Sequence, residues 1–208
     1  MAPVHPCASL YSSACLNNPY AVGHHLFHFW AGSGIPTPIR NHSFLSEGLH
    51  TYLEYQFSEK TWGTDYASKL FLTKLREMER DMQAHQETSP DVLKLCQATD
   101  ERKNTKIPSA KGALFFFMLE QAFCKIIKID GKEQFHRFLK DYMRVFEQES
   151  TSKDRFNKFL ETWLENEIGS HVNFLLLCND NNWWNWFYGT EIPENAPTQF
   201  QTGGRFSH

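Results

Sequence analysis

Apolar residues along this chain recur mostly at helical intervals. After Thr64 or Asp65, either of which can cap a helix, they fall at Tyr66, Leu70, Leu72, Leu75, Met78 and Met82. That three-and-four spacing lines one stripe of a helix. From Gly131 the interval carries Phe135, Phe138, Leu139, Tyr142, Val145 and Phe146. After Ser152, a favourable N-cap, it carries Phe156, Phe159, Leu160, Trp163 and Leu164. One stretch departs from the stripe. After Pro108-Ser109-Ala110-Lys111-Gly112 the chain is almost wholly apolar through Leu119 and continues as helix near Phe123. A helix that is apolar all round has no face for water, so this one is expected to be buried.

Punctuation sets the remaining elements. A helix is expected from about Tyr20 to Trp30, ended by Gly32, Gly34, Pro36 and Pro38. The next starts at Ser43 or Ser46 and runs to about Thr61, with Gly63 as the stop. Ser89-Pro90 reads as the cap and first turn of a short helix to about Cys96, and residues 97–107 as polar loop. Two shorter helices are expected around Val172–Cys178 and Trp183–Tyr188. Residues 1–19, with Pro3, Pro6 and Pro19, look irregular or strand-like. Pro193 and Pro197 lead into a tail, Thr198 to His208, that reads as disordered. The expectation is a mainly α domain over residues 20–197, without internal repeats.

Composition narrows the class. Aromatic residues make up 15% of the 208, including 18 Phe and 6 Trp, which suits a packed core and not a disordered chain. A net charge of −3 gives no field for nucleic acid or a membrane surface. No apolar run approaches a membrane span, and residues 1–16 lack the basic start and apolar core of a signal peptide. The five cysteines are scattered, with no Cys-x-x-Cys pair, so free thiols in a reducing cytoplasm are expected.

The candidate chemistry lies between Gly23 and Glu54. His24 and His28 are four apart, which on a helix stacks both imidazoles on one face, within reach of one metal ion. Such a pair alone is more often packing or surface than a metal site. Glu47 follows His28 after 18 intervening residues, in the second helix. Two His and a Glu form the ligand set of many zinc hydrolases. Glu54, seven residues after Glu47, either supports a ligand histidine or is a solvated surface carboxylate. His42 and His50 flank Glu47 and are expected at the surface or in the cleft, not as ligands.

This constellation resembles the zinc aminopeptidase family, peptidase family M1, in the branch of leukotriene A4 hydrolase, aminopeptidase B and aminopeptidase O. The family pattern H-E-x-x-H-x-W, then Glu after eighteen residues within N-E-G-x-x-x-Y-L-E, is matched by His24, by His28-Phe29-Trp30, and by Ser46-Glu47-Gly48 through Tyr52-Leu53-Glu54. Pro108-Ser109-Ala110-Lys111-Gly112 is similar to P-Y-E-K-G, Phe138 to Tyr142 to F-L-x-x-Y, and Trp183 to Tyr188 with Ile192-Pro193 to W-x-x-W-L-Y…L-P. The resemblance covers nearly the whole chain. It implies the helical half of a thermolysin-like catalytic domain, with zinc held by His24, His28 and Glu47. Nothing in the sequence matches the family's N-terminal β domain or its C-terminal helical repeats.

Three departures bear on activity. The general-base Glu of the motif is replaced by His25. The Tyr that donates to the oxyanion is replaced by Ser109, which also suits a helix N-cap. The G-x-M-E-N strand that binds the peptide amino group has no counterpart, and His5-Pro6-Cys7 is only an echo of N-P-C. Each loss typically costs orders of magnitude in rate. His25 is a weak base, a fourth zinc ligand, or a bystander facing the old cleft. The expectation is a degenerate, inactive domain that retains zinc and works as a structural or protein-interaction module. The alternative is an active zinc hydrolase with an altered base. A protein partner or larger assembly is expected, with no nucleic acid and no membrane. The Trp183, Trp184 and Trp186 cluster is expected to pack as a C-terminal lid, in part exposed to a partner.

Overall fold

The computed structural model describes residues 43–96, 105–127, 129–146, 151–169, 174–197 and 200. All regular structure among them is helical: α1 (Ser43–Trp62), α2 (Thr64–His85), a 3-10 turn (Pro90–Leu93), α3 (Ile107–Ile126), α4 (Gly131–Val145), α5 (Lys153–Glu167), α6 (Phe174–Asp180) and α7 (Trp183–Tyr188). The expected helix over Tyr20–Trp30, the segment 1–19 and nearly all of the expected tail lie outside the described residues.

The apolar segment after Pro108 is the central element. Fifteen of the 20 residues of α3 are buried, and α1, α2 and α4 pack around it. The contacts are largely aromatic. Tyr52 of α1 meets the edge of Phe117 at 4.9 Å and of Phe135 at 5.9 Å. Phe115 touches Trp183 at 5.4 Å and Phe187 at 5.2 Å, which seats α7 against the same core. Phe156 of α5 stacks edge-on against Tyr142 of α4 at 5.2 Å. Rings in such T-shaped pairs place a positive edge on a negative face, which adds orientation to simple burial.

Helix ends follow local chemistry. Gly63 breaks α1 from α2 at φ 88, ψ 163, a region essentially open only to glycine. Ser152 caps α5, its Oγ accepting from the Arg155 amide at 3.3 Å. Elsewhere the structure corrects the expectations. Lys106, not Ser109, is the N-cap of α3. The short helix after Ser89 is a 3-10 turn that stops at Leu93. Val145, placed on the buried stripe of α4 by its spacing, is 50% exposed, because it falls to the side of the face on which Phe138, Tyr142 and Phe146 are buried. Phe200, beyond the expected start of the tail, is buried between Phe71 at 4.7 Å, Phe117 at 4.8 Å and Tyr55 at 5.5 Å. No helix among the described residues is long and apolar enough to cross a membrane.

Candidate functional site

Glu47 lies in the second turn of α1 and is half-buried. His50 and Glu54, three and seven residues on, share its face by helical spacing. His50 is buried, not at the surface, at 7% exposure. Glu54 is buried as well, and its Oε2 accepts from Lys74 Nζ of α2. A buried carboxylate needs such a partner, and this one also ties α1 to α2. It sets Glu54 apart from a solvated surface residue. His24, His25, His28 and His42 lie outside the described residues. Among the described residues no three His, Cys, Asp or Glu side chains converge on a point that could hold a metal.

Ser109 sits in the first turn of α3. Its Oγ donates to the Lys106 carbonyl at 3.0 Å, so the hydroxyl is turned back on its own helix. A tyrosine at this position would project its hydroxyl several ångströms beyond the helix surface. The serine reaches only its own first turn.

Two features that the sequence reading did not single out connect these positions. The first is a backbone contact between α1 and α3. A Cβ added at Gly48 would stand 2.5 Å from the Gly112 carbonyl carbon and 2.6 Å from its Cα. A Cβ at Gly112 would stand 2.8 Å from the Phe44 carbonyl oxygen and 2.9 Å from Gly48 Cα. Only glycine at both positions permits this approach. The second is Lys111, fully buried in the apolar helix. Its Nζ donates to the Leu93 carbonyl at 2.9 Å and the Gly189 carbonyl at 2.8 Å. The signals were present: glycine in the middle of two helices, and a lysine in an apolar one.

Two of the described cysteines are held as thiols. Cys96, Cys124 and Cys178 are free thiols. Burial, with Glu161 nearby, pushes the Cys178 thiol up to about 12. Burial and the Glu120 carboxylate also raise Cys124 above its ordinary value. Both stay protonated near neutrality, and it is the thiolate that attacks or binds metal.

Residues 9–175 match the sequence profile of the peptidase family M1 domain. The chain belongs to peptidase family M1. Leucine aminopeptidase 2 of Coccidioides immitis is 25% identical over 179 residues, 85% of this chain and 27% of that protein. Leukotriene A-4 hydrolase of Xenopus laevis is 22% identical over the same shares. Among solved structures, yeast LTA4 hydrolase in complex with bestatin superposes with a TM-score of 0.70 at 22% identity, over 85% of this chain and 27% of that one. An M1 zinc metallopeptidase of Deinococcus radiodurans bound to a Tyr-Ser-Ala substrate gives 0.58 at 21% identity, over 93% and 40%. The structural likenesses show the fold, the helical part of an M1 catalytic domain. This M1 chain spans about 27% of the length of the curated relatives it matches.

Proposed function

We propose that this M1 chain is a degenerate aminopeptidase-type domain. It keeps a zinc-binding set of His24, His28 and Glu47, has lost peptide hydrolysis, and serves as a structural or protein-interaction module in the cytoplasm. The observation that supports the reading is the Ser109 hydroxyl, bound to the Lys106 carbonyl, at the position that would carry the oxyanion donor by its resemblance to the family pattern. His25 at the general-base position points the same way. Two imidazoles and a carboxylate are a donor set that fits zinc, and zinc so held would polarise a bound water. Glu47 supplies the carboxylate from a half-buried turn, beside a helix contact that holds its backbone. A protein partner is favoured by the aromatic rings left at the surface. Phe57, Trp62 and Tyr66 touch in sequence at 5.6 and 5.3 Å and are 36–40% exposed, and Trp184 is 67% exposed.

The deciding experiment measures zinc per chain by elemental mass spectrometry, with aminopeptidase assays on aminoacyl and short peptide substrates. One zinc per chain, lost in a His24→Ala/His28→Ala variant, with no hydrolysis by the wild type, is the expected result. Zinc-dependent hydrolysis by the wild type would establish the alternative, in which the His25 imidazole, titrating near neutrality, acts as the base. Absence of zinc from the wild type would refute metal retention and leave the surface as the seat of function.

A further inference from the structure

We infer that the polar cleft beside α7 binds an arginine-bearing basic segment of a partner protein. The cleft has a volume of about 450 Å³ and is lined by Asn182 and Asn185 and by the loop of residues 189–194. Asn182, Asn185 and Gly189 share one face of the helix by their spacing. The charged side chains that line the cleft are Glu191 and Glu194, both exposed. Among the described residues no hydrogen bond or ion pair engages the Glu191 carboxylate or the Asn182 and Asn185 carboxamides. The sequence carries the same bias. No Lys or Arg stands between Lys158 and Arg205, an interval that includes Asp180 as well as the two glutamates.

The cleft is more than a negative patch, because its walls are held before anything binds. At one end the Gly189 carbonyl accepts from Lys111 Nζ at 2.8 Å. At the other, Asn195 accepts from Trp186 Nε1 at 3.1 Å and donates to the Asn181 carbonyl at 2.7 Å. A preformed wall loses little freedom on association. Trp184, next to Asn185, is 67% exposed and rests against Tyr188 at 5.8 Å. Arginines of one segment can stack on such an indole and donate their forked N–H groups to carboxylates. The lysines that touch this part of the chain are already engaged. Lys153 Nζ donates to the Tyr188 hydroxyl at 2.8 Å and pairs with Asp154 at 3.4 Å, and Lys111 is fully buried. An acidic segment would meet like charge in the cleft. The inference gives the proposed interaction role a partner class. It rests on that role alone, and neither zinc retention nor loss of hydrolysis bears on it.

The test is fluorescence anisotropy of a fluorescein-labelled peptide of alternating glycine and arginine, titrated with the full chain at near-physiological salt, where distant charges are screened. Saturable binding is expected, weakened about 10-fold in Trp184→Ala and in Glu191→Lys. Both side chains are exposed, and unchanged urea midpoints check that the variants fold. Glu165→Lys makes the same charge change at an exposed position of α5 and is expected to bind as wild type does. A wild type without saturable binding overturns the inference, as does equal binding of a glycine–glutamate peptide. A loss in Glu165→Lys as large as in Glu191→Lys overturns it too, since charge alone would then suffice. So does unchanged binding in both Trp184→Ala and Glu191→Lys. Displacement of the peptide by an equal concentration of free arginine would assign the cleft to a small molecule and refute the partner segment. Each of these results leaves the zinc and hydrolysis measurements standing, and a chain without zinc leaves peptide binding standing.

Discussion

Lys111 shows how a charged residue is accommodated in a helix that is buried over most of its length. Its ammonium group is fully buried, and it is held by two backbone carbonyls that lie 18 and 78 residues away in sequence. The Leu93 carbonyl ends the 3-10 turn and the Gly189 carbonyl follows α7, so one side chain joins three separate pieces of chain. The Cys96 amide, donating to the Phe187 carbonyl at 3.0 Å, closes the same junction from the other side. Lys111→Met keeps much of the apolar stem and removes the donors, leaving two carbonyls without them. The expected cost is about 2–3 kcal/mol, since charge-assisted bonds are the stronger ones and unmade bonds in the interior carry a full desolvation penalty. Urea unfolding measures it directly. A methionine variant as stable as wild type would mean that the carbonyls find other donors at no cost.

At the level of elements, the strap ending in Phe200 ties the helices together. Phe200 inserts among Tyr55 of α1, Phe71 of α2 and Phe117 of α3, sealing the crevice where those helices meet. Phe200→Ala is expected to destabilise the domain by about 3 kcal/mol, at the lower end for buried Phe truncations because the strap can settle inward. A shift of under a tenth of that in urea would show that the ring is dispensable. Such a contact could not be read locally. Phe200 stands alone among Thr198, Gln199, Gln201 and Thr202, with no periodic partner, and its neighbours are 83 or more residues distant. The stripe of α5, the Ser152 cap and the burial of α3 were legible because each depends on nearby residues, whereas the stripe of α2 was read only in part: Leu75 and Met78 are buried, but Tyr66 is 40% exposed and the buried face is completed by Ala67 and Phe71. Trp183, Trp184 and Trp186 divide differently: two are buried, while Trp184 is exposed beside Tyr188. In a helix of six residues the direction is set by the surrounding core and not by the sequence pattern. Within the site, motif spacing marked Glu47 and Ser109, but the glycine contact beside them depends on how close two backbones come, which no spacing encodes.

For the molecule as a whole, the aromatic core sets a limit on the alkaline side. Burial raises the Tyr52 hydroxyl well above its ordinary value of 10.0, and the nearby Glu120 carboxylate adds to this. Burial raises Tyr142 too, outweighing the bond its hydroxyl donates to Thr151 Oγ1 at 3.2 Å. The Cys178 thiol, ordinarily near 9.0, is pushed up to about 12 by burial and by Glu161. All three shifts have one sign. The folded chain keeps protons that the unfolded chain releases once the pH passes 9 to 10, so the unfolded state gains free energy of ionisation that the folded state cannot. Stability from these groups is fully present below about pH 9 and falls as the pH rises toward 11 and beyond. The urea midpoint is therefore expected to be level between about pH 7 and 8.5 and to drop by about pH 10.5. Tyr142→Phe removes one of the three titrations and is expected to flatten the drop, even though it loses the bond to Thr151 and starts from a lower midpoint. A midpoint that stays level in the wild type through that range would mean that these hydroxyls and the thiol ionise in place, in a core wetter than its ring packing indicates.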